Sequence, residues 1–502
     1  MNRHAFLLVG GLSLLAASAS AGVRLPEVLG DHMVLQQQSE VSLWGWAFAG
    51  ETVVVETSWG AKAQTVAGAQ GEWRVKVRTP AAQPLSKGLH PEHITFTVPQ
   101  ENEVQIKDVL IGEVWVCSGQ SNMEMMLCPG FPPGWNAWYG EAAWGDEAKK
   151  ADRPGLRAFD VVKAVAATPQ TDGASCFPSK ALRPKDAGGL LPESRRGWQP
   201  CTADTAPYFH AVAYYFGAAL QERLDVPVGL MTPVVGGTPV ECWMSQKSLN
   251  AVPGYANAVP GTLNPFAGSP ASLFNSMVAP LTPMRIQGAI WYQGESNVGN
   301  PHYAALFQAL IADWRQAFGR DDLPFYFVQI APYRYNRGTK PAELRAAQAT
   351  ALQMPYTGMA LSLDVGEANN IHPKNKRDIG RRLALQALAK TYHQKDLAAD
   401  GPTPESLSRE EGRLRLAFRD LGGGLVSRDG KPLKCFEIAG EDGIFVPANA
   451  VIAGDAVVVS SPAIVKPRSV RFAWGEADIP NLMSKNGLPA AQFEMTLPPA
   501  PR

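Results

Sequence analysis

Cysteine is scarce: the chain has six in 502 residues, and none stands in a Cys-x-x-Cys pair or a Cys/His ligand spacing. So few cannot scaffold so long a chain, and the spacing excludes a structural zinc site. Three bridges at most could form; Cys176 and Cys201, which flank a Pro/Gly-rich loop, are the expected pair. Charge of one sign is also lacking, since Lys plus Arg and Asp plus Glu both number 46. That balance argues against nucleic acid or an anionic membrane surface as the main partner. After residue 17 there is no apolar run long enough to span a bilayer, which excludes a later membrane anchor.

The one long apolar run is N-terminal. In MNRHAFLLVGGLSLLAASASAG a positive start at Arg3 leads into Ala5–Ala17 and then Ala19, Ser20 and Ala21. This order is that of a secretory signal peptide cleaved after Ala21, so a periplasmic or secreted protein is expected. With 45% hydrophobic and 18% charged residues the mature chain can bury a large core divided among two or three domains.

Residues 22–107 alternate apolar and polar positions in VSLWGWA, ETVVVETSW, EWRVKVRT and HITFTV, the pattern of a small β-sandwich. Over 108–398 strand-like runs alternate with helical ones, as in a parallel sheet with helices on its faces. Strands are expected at Val226–Thr232, Gly288–Tyr292, Phe325–Ile330 and Gly358–Leu363, and helices at Phe209–Leu224, Tyr303–Phe318 and Asp378–Tyr392. Period two returns over 399–502 in RLRLAF, AVVVSS and SVRFAW, predicting a closing β module. Residues 127–205 read as an insertion or lid. Within it Trp135, Trp138, Tyr139 and Trp144 have the composition of a sugar-stacking platform or of aromatic packing that pins the loop.

Chemistry-bearing residues collect where strands are expected to end. VLIGEVWVC empties into SGQSNMEMM, which brings Ser121 to the carboxyl edge of the sheet, where ligands bind in open α/β proteins. Gly236 and Gly237 follow the next strand, and adjacent glycines let backbone N–H groups approach a ligand closely. GAIWYQGESN delivers Gln293, Glu295, Ser296 and Asn297 to the same edge. LSLDVGEANNIHPKNK sets Asp364 at a strand end and His372 in the following loop. Of the eight histidines only His372 has that position.

These segments, GQSN, GGTPVECW, WYQGESN and NNIHPKNKRDIGRRLALQA, resemble the sialate O-acetylesterase group of the SGNH hydrolase superfamily, which includes acetyl-xylan and acetyl-xyloglucan esterases. The resemblance runs from LPEVLGDHMVLQQ to NLMSKNGLPAAQF, nearly the whole mature chain. It implies a flavodoxin-like SGNH hydrolase domain flanked by N- and C-terminal β modules, removal of acetyl groups from sugar hydroxyls, no cofactor and no obligate protein partner. By motif, Ser121 is the nucleophile and His372 its base, with an oxyanion held by the Ser121 and Gly237 backbones and a side-chain amide, Asn297 or Gln293. Trp135 and Trp138 would bind substrate. The superfamily's Asp three residues before the histidine is Asn369 here. The triad acid must then come from Glu295, Asp364 or Glu367, or be missing; Glu295, on the motif strand, is the expected one. Xylan or xyloglucan is the expected substrate type because the loop is Trp-rich. Sialic acid, with Arg153, Arg157, Arg195 and Arg196 as carboxylate partners, and a carbohydrate-binding protein on a degenerate hydrolase scaffold are the alternatives.

Overall fold

The computed structural model describes residues 22–99, 101–127, 147, 150–172, 197–258 and 269–498. The expected signal peptide at residues 1–21, and Trp135, Trp138, Tyr139, Trp144, Cys176, Arg195 and Arg196, lie outside them.

A single strand organises the N-terminal half. Strand β1, Val104–Gly119, is 16 residues long. Its first part pairs antiparallel with Glu92–Thr97, Leu110–Gly112 pairs parallel with Val34–Gln36, and its last residues enter the central sheet. The boundary expected at 107/108 therefore falls inside one strand. Before it, Glu40–Trp46 and Glu72–Arg78 form a two-stranded sheet, and Thr52–Thr57 pairs with both Lys62–Val66 and Glu92–Thr97. Alternate residues Val41, Leu43, Trp73 and Val75 of the first sheet and Val53, Val55, Ile94 and Phe96 of the second are buried in one core. Period-two patterning produces two such half-apolar faces.

The central sheet continues with β2 (Arg153–Asp160), β3 (Trp198–Cys201), β4 (Val228–Thr232), β5 (Gly288–Tyr292), β6 (Phe325–Val328) and β7 (Thr357–Ala360). Its order is β7-β6-β5-β1-β4-β2-β3, parallel except for β3. The five strands β1, β4, β5, β6 and β7 thus lie in the order 2-1-3-4-5, with β2 and β3 added at one edge. Residues 153–160 and 198–201 extend the central sheet, with 198–201 as its edge strand, a correction to their reading as part of a lid.

Helices α1 (Ala211–Leu224) and α4 (Lys376–Lys390) cover one face, packing Phe216, Leu220, Ile379 and Leu383 on Trp115, Cys117, Leu230, Ile290 and Tyr326. Helix α2 (Tyr303–Ala317) brings Leu306, Phe307, Leu310 and Trp314 to the other, against Val116, Met231, Ala289, Trp291 and Phe325. Alternation within each strand assigns its residues to the two cores, and burial on both faces explains why the strands read as continuous apolar runs. Helix α3 (Lys340–Ala349) follows β6.

The C-terminal segment forms two four-stranded sheets and one two-stranded pair around Leu414, Leu416, Phe436, Val457, Phe472 and Phe493. Leu363, just past β7, is buried in this same core. Among the described residues no helix is long and apolar enough to cross a membrane.

Candidate active site

The nucleophile turn is fixed by backbone geometry. Gly119 ends β1 at φ +144°, and a Cβ there would stand 2.1 Å from the Tyr292 carbonyl oxygen of β5, so only glycine fits. Gln120 N–H donates to that carbonyl at 3.0 Å. Ser121–Glu124 then makes one helical turn, with Glu124 N–H donating to the Gln120 carbonyl at 3.0 Å. The Ser121 N–H stands at the start of this turn, where helix geometry provides no intrahelical acceptor.

His372 arrives from the far end of the chain. Its loop follows β7 and is anchored where Asp364 receives two bonds from Arg382 of α4, at 2.7 and 2.8 Å. Asn370 Oδ1 accepts from the His372 backbone N–H at 3.0 Å, and Asn375 caps α4 by accepting from Asp378 N–H. Across 251 residues of sequence, His372 Nε2 meets Ser121 Oγ at 2.9 Å. Burial, and secondarily the nearby Lys376 charge, push the imidazole down to about 4, while Glu124 acts in the opposite sense. The ring is therefore neutral at ordinary pH and able to accept the serine proton.

The acids proposed for the third position are engaged elsewhere. Glu295 lies buried at the end of β5, but its Oε1 accepts from Asn122 Nδ2 at 2.5 Å, and its charge faces Lys376. It thus engages the residue next to the nucleophile rather than the imidazole, which corrects its reading as the triad acid. Asp364 is held by Arg382, and Glu367 accepts from the Lys374 N–H at 2.8 Å. Asn369, at the superfamily's Asp position, accepts from Arg334 at 2.8 Å.

The side-chain oxyanion donor also needs correction. Asn297 Nδ2 donates to Glu241 at 2.8 Å, and its Oδ1 accepts from Val240 N–H and Gln293 Nε2, so the amide locks its own loop. Gln293 is buried within that same network. The Gly-Gly turn does reach the nucleophile. A Cβ on Gly236 would stand 3.3 Å from Ser121 Cβ and 2.8 Å from Glu124 Oε2, and Gly236 N–H donates to Glu124. Gly237 beside it is exposed at φ +73°, with open space around its Cα.

Other candidates are structural. His210 is buried against the Glu124 carbonyl and Asp160. Arg157 binds Asp108 and Arg153 binds Glu222, both near the opposite end of the sheet from Ser121. Cys201 is a buried free thiol pushed up to about 12 by burial, and Cys176, its expected partner, lies outside the described residues. Residues overlooked from sequence are Asn122, Lys376 and the Glu124–Lys163 ion pair, all within hydrogen-bond reach of the nucleophile turn or its neighbours. Asn122 and Lys376 lie inside the GQSN and HPKNK motifs; proximity to Ser121 and His372 was the available signal.

A serine in hydrogen-bond contact with a neutral histidine, at the carboxyl edge of a parallel sheet, defines a serine hydrolase of the α/β class. The comparisons with known proteins specify it further. Residues 201–389 match the model of the family described as carbohydrate esterase, sialic acid-specific acetylesterase. The chain is 28% identical to the sialate O-acetylesterase of Rattus norvegicus, over 92% of this chain and 91% of the relative, and 28% identical to that of Homo sapiens, over 84% and 81%. It is similar, with a TM-score of 0.80 and 32% identity, to the crystal structure of a carbohydrate acetylesterase from Xanthomonas citri, covering 94% of this chain and 99% of that one. The chain belongs to the sialate O-acetylesterase group of carbohydrate esterases, and it is an acetylesterase.

Proposed function

We propose that this acetylesterase acts through an acetyl-serine intermediate, and that its five-strand core is an SGNH hydrolase domain. The 2.9 Å contact of Ser121 Oγ with His372 Nε2 carries the reading. Ser121 Oγ attacks the acetyl carbonyl while its proton passes to His372; the imidazolium then protonates the departing sugar oxygen. Water, deprotonated by His372, attacks the acetyl-enzyme, and acetate leaves as the proton returns to Ser121. The Ser121 and Gly237 N–H groups receive the oxyanion.

For the substrate we favour a neutral acetylated polysaccharide of the xylan or xyloglucan type, met outside the cytoplasm. Arg153 and Arg157, the described arginines that sequence offered to a sialate carboxylate, are engaged in ion pairs far from Ser121. The sialate reading retains support from the names of the mammalian relatives and from exposed Arg334, bonded to Asn369 three residues before His372. Acetate release from acetylated xylan, acetylated xyloglucan and O-acetyl sialic acid tests the choice. Turnover of the polysaccharides at least tenfold above that of the sialate is expected; the reverse order would overturn the neutral assignment.

A further inference from the structure

Asn122 sits 0% exposed between three partners of fixed polarity. Its Nδ2 donates to Glu295 Oε1 at 2.5 Å and to the Ile371 carbonyl at 3.1 Å; its Oδ1 accepts from Lys376 Nζ. An ammonium only donates and a carbonyl only accepts, so the amide has one permitted orientation. Ile371 is the residue before His372, and Asn122 the residue after Ser121. One side chain therefore joins the nucleophile turn, the histidine loop, the first residue of α4 and the end of β5. Lys376 is itself 2% exposed and lies 5.6 Å above the Tyr292 ring.

Resting on the assignment of Ser121 and His372 as the reacting pair, we propose that Asn122 is a positioning residue that sets the Ser121–His372 distance, and that the buried Lys376–Glu295 pair holds its amide. The pair has an electrostatic consequence. Lys376 is pushed down to about 7 by burial against the opposing pull of Glu295 and Glu367. Glu295 is raised by burial, with the Asn122 bond and Lys376 opposing. The charges facing His372 are Lys376 from its own side and Glu124, paired with Lys163, from the nucleophile turn. Lys376 thus lowers the basicity of the imidazole besides orienting Asn122.

Steady-state kinetics on p-nitrophenyl acetate test this, with folding checked by circular dichroism and melting. Asn122→Ala should lower kcat by about a hundredfold, the usual consequence of a displacement near 1 Å, with KM within about twofold. Asn122→Asp keeps the shape but loses the donor to Ile371, and should fall comparably even if the alanine variant does not fold. Lys376→Met should move the acid limb of kcat/KM upward toward the ordinary histidine value of about 6.5. Wild-type kcat in Asn122→Asp, or an unmoved limb in Lys376→Met, would overturn the proposal. His372→Ala is the separate control: if it kept activity, the reacting-pair assignment itself would fail.

Discussion

At the scale of single residues, the depressed basicity of His372 is the most accessible observable. A base works only while unprotonated, so kcat/KM should hold steady from neutral pH downward and fall as pH drops through about 4. A pH-rate profile measures this directly, and an acid limb at 6 or above would contradict the burial seen here. Ser121→Ala and His372→Ala should each reduce turnover by at least about a thousandfold, and the double variant should be little worse, because the two groups act as a unit. Single-turnover acetate release would reveal additive losses if the pairing were wrong. Glu295→Gln offers a sharper contrast. Removing the charge of a triad acid costs roughly 10⁴-fold. Here the carboxylate touches Asn122, and a glutamine oxygen can still accept that bond, so a loss within about tenfold is expected.

Elements explain why some of this was legible in the sequence and some was not. Gly288–Tyr292 is found as a strand with the bounds its apolar run predicted, and three helices begin and end within about two residues of their periodic patterns. Strand ends therefore located Ser121 and His372 at one edge. Hydrogen-bond partners are another matter: Glu295 and Asn297 lie two residues apart in the QGESN segment, yet one turns to Asn122 and the other to Glu241, and no periodicity encodes that turn. Strand β2 went unrecognised because Arg153-Pro154-Gly155 looks like a loop, although the irregular pairing with β3 between Arg153 and Arg157 tolerates it. The elements also make a stability prediction. Gly119→Ala drives a methyl into the Tyr292 carbonyl, so either β1 or β5 must shift; a loss of about 3 kcal/mol or more in denaturant unfolding is expected.

The whole molecule behaves as interlocked parts. Arg345 of α3 is 0% exposed and donates to the carbonyls of Ala473 and Gly475 and to Gln492, while Glu476 receives the N–H groups of Asn336 and Arg337 in the loop after β6. Arg428 likewise reaches the Asp364 carbonyl at the root of the histidine loop. A chain ending at residue 398 would expose Leu363 and leave the Arg345 guanidinium without these acceptors. Removing the partners of one buried charge costs about 3–5 kcal/mol. Such a truncation should accumulate in aggregates or, if soluble, melt well below the full chain, as differential scanning calorimetry would register.

The 16-residue strand that begins beside Glu92–Thr97 and ends at the nucleophile turn also constrains how this protein can be recombined. Exchange of its first module with that of a relative is a cut-and-paste operation only if the seam avoids hydrogen-bonded backbone. A crossover at 107/108 joins two half-strands whose twist and register were selected with different partners, and any one-residue slip would turn Trp115 and Cys117 to the opposite face and misplace Ser121. Seams near 101–103, ahead of the strand, should give active chimeras far more often than seams within 104–119, a difference that a small crossover library scored for acetate release would count.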